Sequence, residues 1–334
     1  MKKTSWILMG LWLMAAACLG ASTSLPGLAV VPWNGHKAAT SLTFDDSDSS
    51  HLDVAVPELD KRKMRGTFYL IANKTDRKDE WRKILASGHE IGNHTLDHKH
   101  PTELDSKGEE AQVSGARNVL QKEFGVPVLT FAYPFVEYTS GLKSWVEKTH
   151  LLARGGNSSY IVNAEQEPDW WDIPSQTTKS NLAFKDYQSW MDEDLKTGGW
   201  LVWMIHGLEG TQWGWEPITR ENFTKILDYL QANDFWVGTF LEVGSYFRAQ
   251  KIFEKAKVVE KDGKKTWTWE LPEFMPRNVA LKLDLPVDTK TKGLEVTQGG
   301  QKITADERGF YSINFSKKEV TLRQVAETFV PEKP

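Results

Sequence analysis

At 334 residues the chain is long enough for one large domain and a smaller one. Its 40% hydrophobic and 26% charged residues are ordinary for a folded globular protein. The formal charge of −4, with basic residues scattered, argues against a nucleic-acid partner. A single cysteine, Cys18, excludes an internal disulfide, so stability must come from the core.

The chain opens with Lys2 and Lys3, an apolar run over 6–19, and the small residues Gly20, Ala21 and Ser22. This is the layout of a bacterial secretory signal, with cleavage expected after Ala21 and export of the mature chain to the periplasm or medium. The run falls short of the roughly 20 residues of a membrane span, so the mature chain is expected to have none. A lipoprotein anchored through Cys18 is the alternative, although the usual Leu three residues before the Cys is missing.

Strand and helix patterns then alternate. Residues 41–44 read as a strand, 52–64 as a helix that Pro57 kinks or delays, 66–71 as a strand, and 80–86 as a helix. Residues 89–92 are a strand, and 109–124 a helix closed by Gly125. Strands at 128–131 and 151–153 flank a helix over 142–149. A helix at 184–196, a buried-type strand at 200–205, a helix at 220–232 and a strand at 235–240 follow. Such alternation predicts a parallel α/β sheet, closed or doubly wound, and the pattern does not choose between them. Past residue 251 the segments 258–271 and 278–285 are β-like, with Ile313 and Val320 on further short strands. Residues 38–250 thus read as one α/β domain, and 252–334 as a small all-β accessory domain.

Three features carry chemistry. Asp45-Asp46 ends the first strand, where parallel α/β sheets place functional groups. Two adjacent carboxylates there suit a cation, though Asp46, Ser47 or Asp48 would equally cap the next helix. His94 and His98 are four apart, which puts both imidazoles on one face if the segment is helical. With a carboxylate they supply two nitrogens and an oxygen and leave positions open for water. His206 ends the 200–205 strand, where it is either a satisfied core histidine or a functional one. Trp213 and Trp215, in the polar loop after it, suit stacking on sugar rings.

Thr43-Phe44-Asp45-Asp46, His94-Thr95-Leu96-Asp97-His98, Phe131-Ala132-Tyr133-Pro134-Phe135 and Trp203-Met204-Ile205-His206 together resemble the ordered motifs of the polysaccharide deacetylases, carbohydrate esterase family 4. The resemblance covers roughly 38–246. It implies a distorted, incomplete (β/α) barrel and a hydrolase that removes N- or O-acetyl groups from a carbohydrate. By resemblance Asp45 is the general base, Asp46, His94 and His98 hold a divalent metal, His206 is the general acid, and the Phe135 amide binds the oxyanion. Zn²⁺ suits this donor set, with Co²⁺, Mn²⁺ or Ni²⁺ as substitutes. Tyr133, in the third motif, is placed with Trp213 and Trp215 at the substrate.

The chain departs from the family in places. Ser47-Asp48 stand where Gly-Pro is common. Ala132 stands where an Arg usually pairs with the base, and Arg154 is the candidate to replace it. The Asp-Trp pair that tunes the catalytic histidine is matched only loosely, by Asp169 and Asp172 beside Trp170 and Trp171. His51 is expected behind the site. The rival readings are a non-catalytic carbohydrate-binding protein on the same scaffold, and a metal-dependent hydrolase of another bond.

Overall fold

The computed structural model describes residues 24–156, 161–208, 214–286 and 293–325. The leader with Cys18, and Trp213, lie outside them. Among the described residues no helix is long and apolar enough to cross a membrane.

After a short strand β1 (Ala29–Val30) comes β2 (Ala38–Phe44), all seven residues of which are buried. The reason is that β2 has strand neighbours on both edges. One edge takes β9 (Trp200–Ile205) in parallel, from Ala39 opposite Trp200 to Phe44 opposite Ile205. The other is shared by β10 (Phe235–Val237), beside Ala38 to Thr40, and β3 (Thr67–Leu70), beside Thr43 and Phe44. Parallel strands β4 (Glu90–Asn93), β5 (Thr130–Ala132) and β6 (Leu152–Arg154) extend the sheet past β3. Helices alternate with them: α1 (Val56–Lys61), α2 (Lys78–Ala86), α3 (Ser106–Glu110), α4 (Ala116–Phe124) and α5 (Ser140–Thr149). The pairs β7 (Ile161–Val162) and β8 (Gln176–Thr177), and the helices α6 (Phe184–Thr197), α7 (Arg220–Ala232) and α8 (Phe240–Glu254), complete this region.

The ring closes without a full strand. The Ala153 amide donates to Trp170, the Gly155 amide to Ile173, and the Thr178 amide to Met204, so residues 170–178 bridge β6 to β9. This is a distorted, incomplete (β/α) barrel, as the family resemblance implies; the strand–helix alternation leaves a doubly wound sheet equally open.

Both faces of the sheet are covered, which explains why its strands read as apolar runs rather than alternating ones. Outside, Leu42, Phe44, Phe68 and Trp203 pack with Leu59, Trp81, Tyr187 and Phe223 of the helices. Phe44 and Phe68 stack at 4.8 Å, and each such buried ring contributes roughly 1.5–3 kcal/mol. Inside, Ala39, Tyr69, Ala132, Leu152 and Trp200 meet Phe240, Val243 and Phe247 of α8. Sequence periodicity misses α8 and runs the last strand to residue 240. The helix is buried on nearly every side, with Ser245, Gln250 and Lys251 buried among its apolar residues, so it shows no 3.6-residue stripe. Its start is nevertheless marked: the Thr239 hydroxyl accepts from the Glu242 amide and Glu242 accepts from the Thr239 amide.

The C-terminal strands form two small antiparallel sheets. One runs β11 (Lys257–Lys261), β12 (Lys264–Thr268), β17 (Glu319–Gln324), β14 (Leu294–Gln298), β15 (Gln301–Lys302). In the other, β13 (Ala280–Asp284) lies between β1 and β16 (Tyr311–Asn314). The N-terminal residues 29–30 therefore contribute a strand to a region that the sequence pattern confines to 252–334. Trp267, Trp269, Phe315 and Leu281 pack there with Phe253 from the end of α8.

Candidate metal centre

β2 delivers the paired aspartates to the open end of the barrel. The Asp45 amide still donates to the Ile205 carbonyl at 2.9 Å. Asp46 (φ 75°) and Ser47 (φ 56°) then turn the chain through the left-handed region. That conformation is strained for non-glycine residues, and the Ser47 hydroxyl holds it by accepting from the Ile71 amide at 2.9 Å.

His94 and His98 do converge, but not on a helix. The segment after β4 is a turn, with Thr95 at φ 67° and His98 at φ 59°. The Thr95 hydroxyl accepts from the His98 amide, and the Asn93 side-chain oxygen from the Thr95 amide, both at 3.0 Å. Gln112 accepts from the Leu96 and Asp97 amides. These bonds replace the helical ladder that four-residue spacing suggests. The two rings lie 4.9 Å apart, edge to face. His94 Nε2 is 3.4 Å and His98 Nε2 3.3 Å from Asp46 Oδ1, and all three donor atoms lie within 4.8 Å of one another.

The donor set fits a divalent cation. His94 Nδ1 meets the Ala132 carbonyl at 2.8 Å, which requires hydrogen on Nδ1 and leaves the Nε2 lone pair facing Asp46. Asp46 Oδ1 is buried without a hydrogen-bond partner. Ligands about 2.1 Å from one ion are separated by about 3.4 Å in a tetrahedron, close to both measured spacings. Burial pushes the Asp46 carboxyl up, but the His94, His206 and His98 rings hold it well below the usual carboxylate range. Burial, reinforced by His94, pushes His98 down to about 4, so its ring is neutral and able to ligate at neutral pH.

Asp45 is 2% exposed and faces Arg154, itself 1% exposed, with Nη2 to Oδ2 at 2.5 Å. Arg154 is the register partner of Ala132 across the β5–β6 pair, so both side chains leave the sheet on the same face. The guanidinium also lies over the Tyr69 ring, 5.3 Å from its centroid. The other Asp45 oxygen, Oδ1, is buried and unpartnered.

His206 follows β9, its Nε2 3.8 Å from Asp45 Oδ2. Burial lowers its pKa, a penalty that the Asp45 and Asp46 charges only partly offset. His51 is fully buried and its Nε2–H donates to the His206 carbonyl at 2.6 Å, so it touches the site through the backbone. Trp215 stands edge to face on the His206 ring at 4.8 Å and is 57% exposed.

Phe135, at φ 55°, is 46% exposed, and its amide donates to no carbonyl among the described residues. Tyr133 is buried and its hydroxyl donates to the Trp171 carbonyl at 2.9 Å, so only its ring is left to meet a substrate. Asp169 and Asp172 do not reach His206. Asp169 binds Lys143 and the Trp171 amide, and Asp172 accepts from the Tyr138 hydroxyl at 2.8 Å. His206 Nδ1 is buried without a hydrogen-bond partner. Asp45, Asp46, His94, His98, His206 and Trp215 line one cleft of about 440 Å³. Tyr133, Phe135, Val136, Thr177 and Met204 complete its walls, the last three without a chemical signature in the sequence.

The turn that carries the histidines rests on a buried network. Asn93 Nδ2 donates to the Val113 carbonyl and to His150 Nε2, and the Thr149 hydroxyl, which donates to Trp145, can only accept from His150 Nδ1. Neutral His150 is thus built in, and burial pushes it down to about 3. The unfolded chain takes up this proton near pH 6.5, so stability is expected to be complete above that pH and to decline as pH falls toward 3. Urea unfolding of wild type and His150→Gln between pH 7 and 4 tests this. Equal slopes of stability with pH would exclude His150.

The fold and centre define a distorted barrel with a two-histidine, one-carboxylate metal-type site at its open end. Residues 34–152 match the polysaccharide deacetylase family model, so this segment is similar to that family. The chain is 24% identical over 302 residues to a gellan lyase of a Bacillus species, covering 82% of this chain and 12% of that protein. It is 22% identical over 153 residues to a peptidoglycan-N-acetylglucosamine deacetylase of Bacillus cereus, covering 45% of this chain and 52% of that one. The chain therefore spans about half or less of the length of these curated relatives. A Mycobacterium smegmatis protein assigned as a polysaccharide deacetylase shares the fold, with a TM-score of 0.50 and 19% identity over 68% of this chain and 95% of that one.

Proposed function

We propose that this protein is an exported hydrolase that removes acetyl groups from a carbohydrate, with a divalent cation, Zn²⁺ first, held by Asp46, His94 and His98. The observation that carries this reading is the unpartnered Asp46 Oδ1 facing two imidazole Nε2 atoms at 3.4 and 3.3 Å, beside a second carboxylate with a free oxygen. A cation bound there polarises the acetyl carbonyl and makes water more acidic. Asp45 takes a proton on Oδ1 from the attacking water, while Arg154 holds its other oxygen. The Phe135 amide donates to the carbonyl oxygen as negative charge builds on it, a preorganised contribution that is often the largest in such reactions. His206 gives a proton to the departing amine or alcohol, the C–N or C–O bond breaks, and acetate leaves. His51 keeps His206 in place through its carbonyl. Trp215 offers a face for a neighbouring sugar, and Trp213, two residues earlier in the sequence, is proposed as a second sugar-binding side chain.

The test is acetate release from a panel of N- and O-acetylated glycans, before and after dialysis against a chelator and with Zn²⁺, Co²⁺, Mn²⁺ or Ni²⁺ restored. Activity that is lost on dialysis and recovered with one metal is expected. Full activity in chelator, or glycan binding without acetate release from any member, would remove the reading in favour of another mechanism or a binding protein.

A further inference from the structure

Phe135 (46% exposed), Tyr138 (38%) and Trp215 (57%) are the most open aromatic side chains among the described residues; Phe135 and Trp215 line the cleft that holds the metal-type site, and Tyr138 walls a depression beside it. Trp215 forms one rim, over His206. Phe135 forms the other, stacked on His100 at 3.7 Å and against His98 at 4.6 Å. A second depression of about 430 Å³ adjoins the cleft at Val136, which lines both. Pro101, Thr102, Glu137, Tyr138 and Asp172 wall it.

This depression is built rather than incidental. Phe135 (φ 55°) and Val136 (φ 59°) are consecutive left-handed residues, and for a β-branched valine that conformation is a true outlier kept only where the surroundings enforce it. It turns Phe135 outward. Tyr138 is fixed on three sides: the Tyr133 ring lies 4.7 Å away, the hydroxyl donates to Asp172 Oδ2 at 2.8 Å, and Lys143 Nζ sits 5.4 Å from the ring centroid. A ring held this way is preorganised for the apolar C–H face of a sugar. The charged wall is chiefly acidic. Glu137 Oε2 is paired with His100 at 3.1 Å and Asp172 Oδ2 accepts from Tyr138, while Lys143 is bound to Asp169, so each of the two carboxylates keeps its second oxygen as an acceptor. Sugar hydroxyls and ammonium groups donate to such oxygens, and a sugar carboxylate is repelled by them.

We propose that this groove binds the sugar adjacent to the one being deacetylated, and that this sugar is neutral or carries a free amine rather than a carboxylate. The inference rests on the reading that the cleft acts on acetylated carbohydrate. It makes the substrate a chain crossing the site from Trp215 to Tyr138, and it favours a polymer already partly deacetylated over one of uronic acids.

Calorimetric titration of the full chain with three probes tests it: a glucosamine tetramer, an N-acetylglucosamine tetramer and a tetragalacturonate. The glucosamine tetramer is expected to bind at least tenfold more tightly than the tetragalacturonate. Tyr138→Ala should weaken it about tenfold, the worth of one aromatic platform, while Tyr138→Phe, which keeps the ring, should hold within about threefold. Glu137→Gln with Asp172→Asn should close most of the gap between the amine and carboxylate probes. Thermal unfolding of each variant separates lost binding from lost fold. Unchanged binding by folded Tyr138→Ala, equal affinity for tetragalacturonate, or no binding of any tetramer overturns the proposal. Glucosamine binding that is intact, with no acetate released from any N- or O-acetylated glycan of the panel, would instead overturn the deacetylase reading and leave the groove standing.

Discussion

Asp45→Asn is expected to retain the divalent cation yet lower acetate release by a factor on the order of 10²–10⁴, the usual worth of general acid–base catalysis. The argument starts from the two oxygens of one carboxylate. Oδ2 is held by Arg154 Nη2 at 2.5 Å, and Oδ1 is buried with no partner. An Asn carbonyl can still accept from Arg154, so the side chain stays in position. Its amide nitrogen has no lone pair to offer an attacking water. The three metal donors are on other residues and are untouched. Metal content should therefore stay near one ion per chain while turnover collapses, a split that loss of the metal site does not produce. His206→Ala should give the same pattern by removing the proton donor to the leaving group. Near wild-type turnover in metal-loaded Asp45→Asn would mean that another group serves as the base.

The parallel sheet was legible in the sequence because buried parallel strands are continuous apolar runs, and β2 and β9 fall on the segments that such runs mark, whereas its closing into an incomplete barrel was implied only by the family resemblance. What periodicity reads is one-sided burial, which is why it misses α8, buried on most sides with polar residues among the apolar ones. The pairing of His94 with His98 was legible from spacing, but the helix invoked for it was not there. Two left-handed residues and a Gln112 side chain hold the turn instead, and neither has a spacing signature. The Asp-Trp likeness at 169–172 misled for a related reason. A dipeptide fixes which residues are neighbours in the chain, not which way a loop directs them, and here both carboxylates face Lys143 and Tyr138. Arg154 stood out only because Ala132 lacked the expected guanidinium. Strand register then explains why it serves: residues opposed across parallel strands share a face, so an arginine one strand over reaches the same carboxylate.

That register carries the second large expectation. Arg154→Met should destabilise the protein by about 3–5 kcal/mol, because it leaves the Asp45 carboxylate buried and unpaired. For a domain of this size that is a fall of roughly 10 °C in Tm. Activity should fall too, since nothing else is bonded to Asp45 Oδ2 within hydrogen-bond distance among the described residues. The loss of stability and the loss of activity separate in the double variant. Asp45→Asn with Arg154→Met removes both charges at once, and a buried pair replaced by neutral groups of similar size is often close to neutral in stability. Tm should then recover most of the way, whereas acetate release should remain as low as in Asp45→Asn alone. The pair thus behaves as one unit, and the coupling energy from the four proteins measures it. A double variant as unstable as Arg154→Met would show that the arginine holds the barrel through its packing on Tyr69, 5.3 Å from its guanidinium, and not through the charge it presents to Asp45.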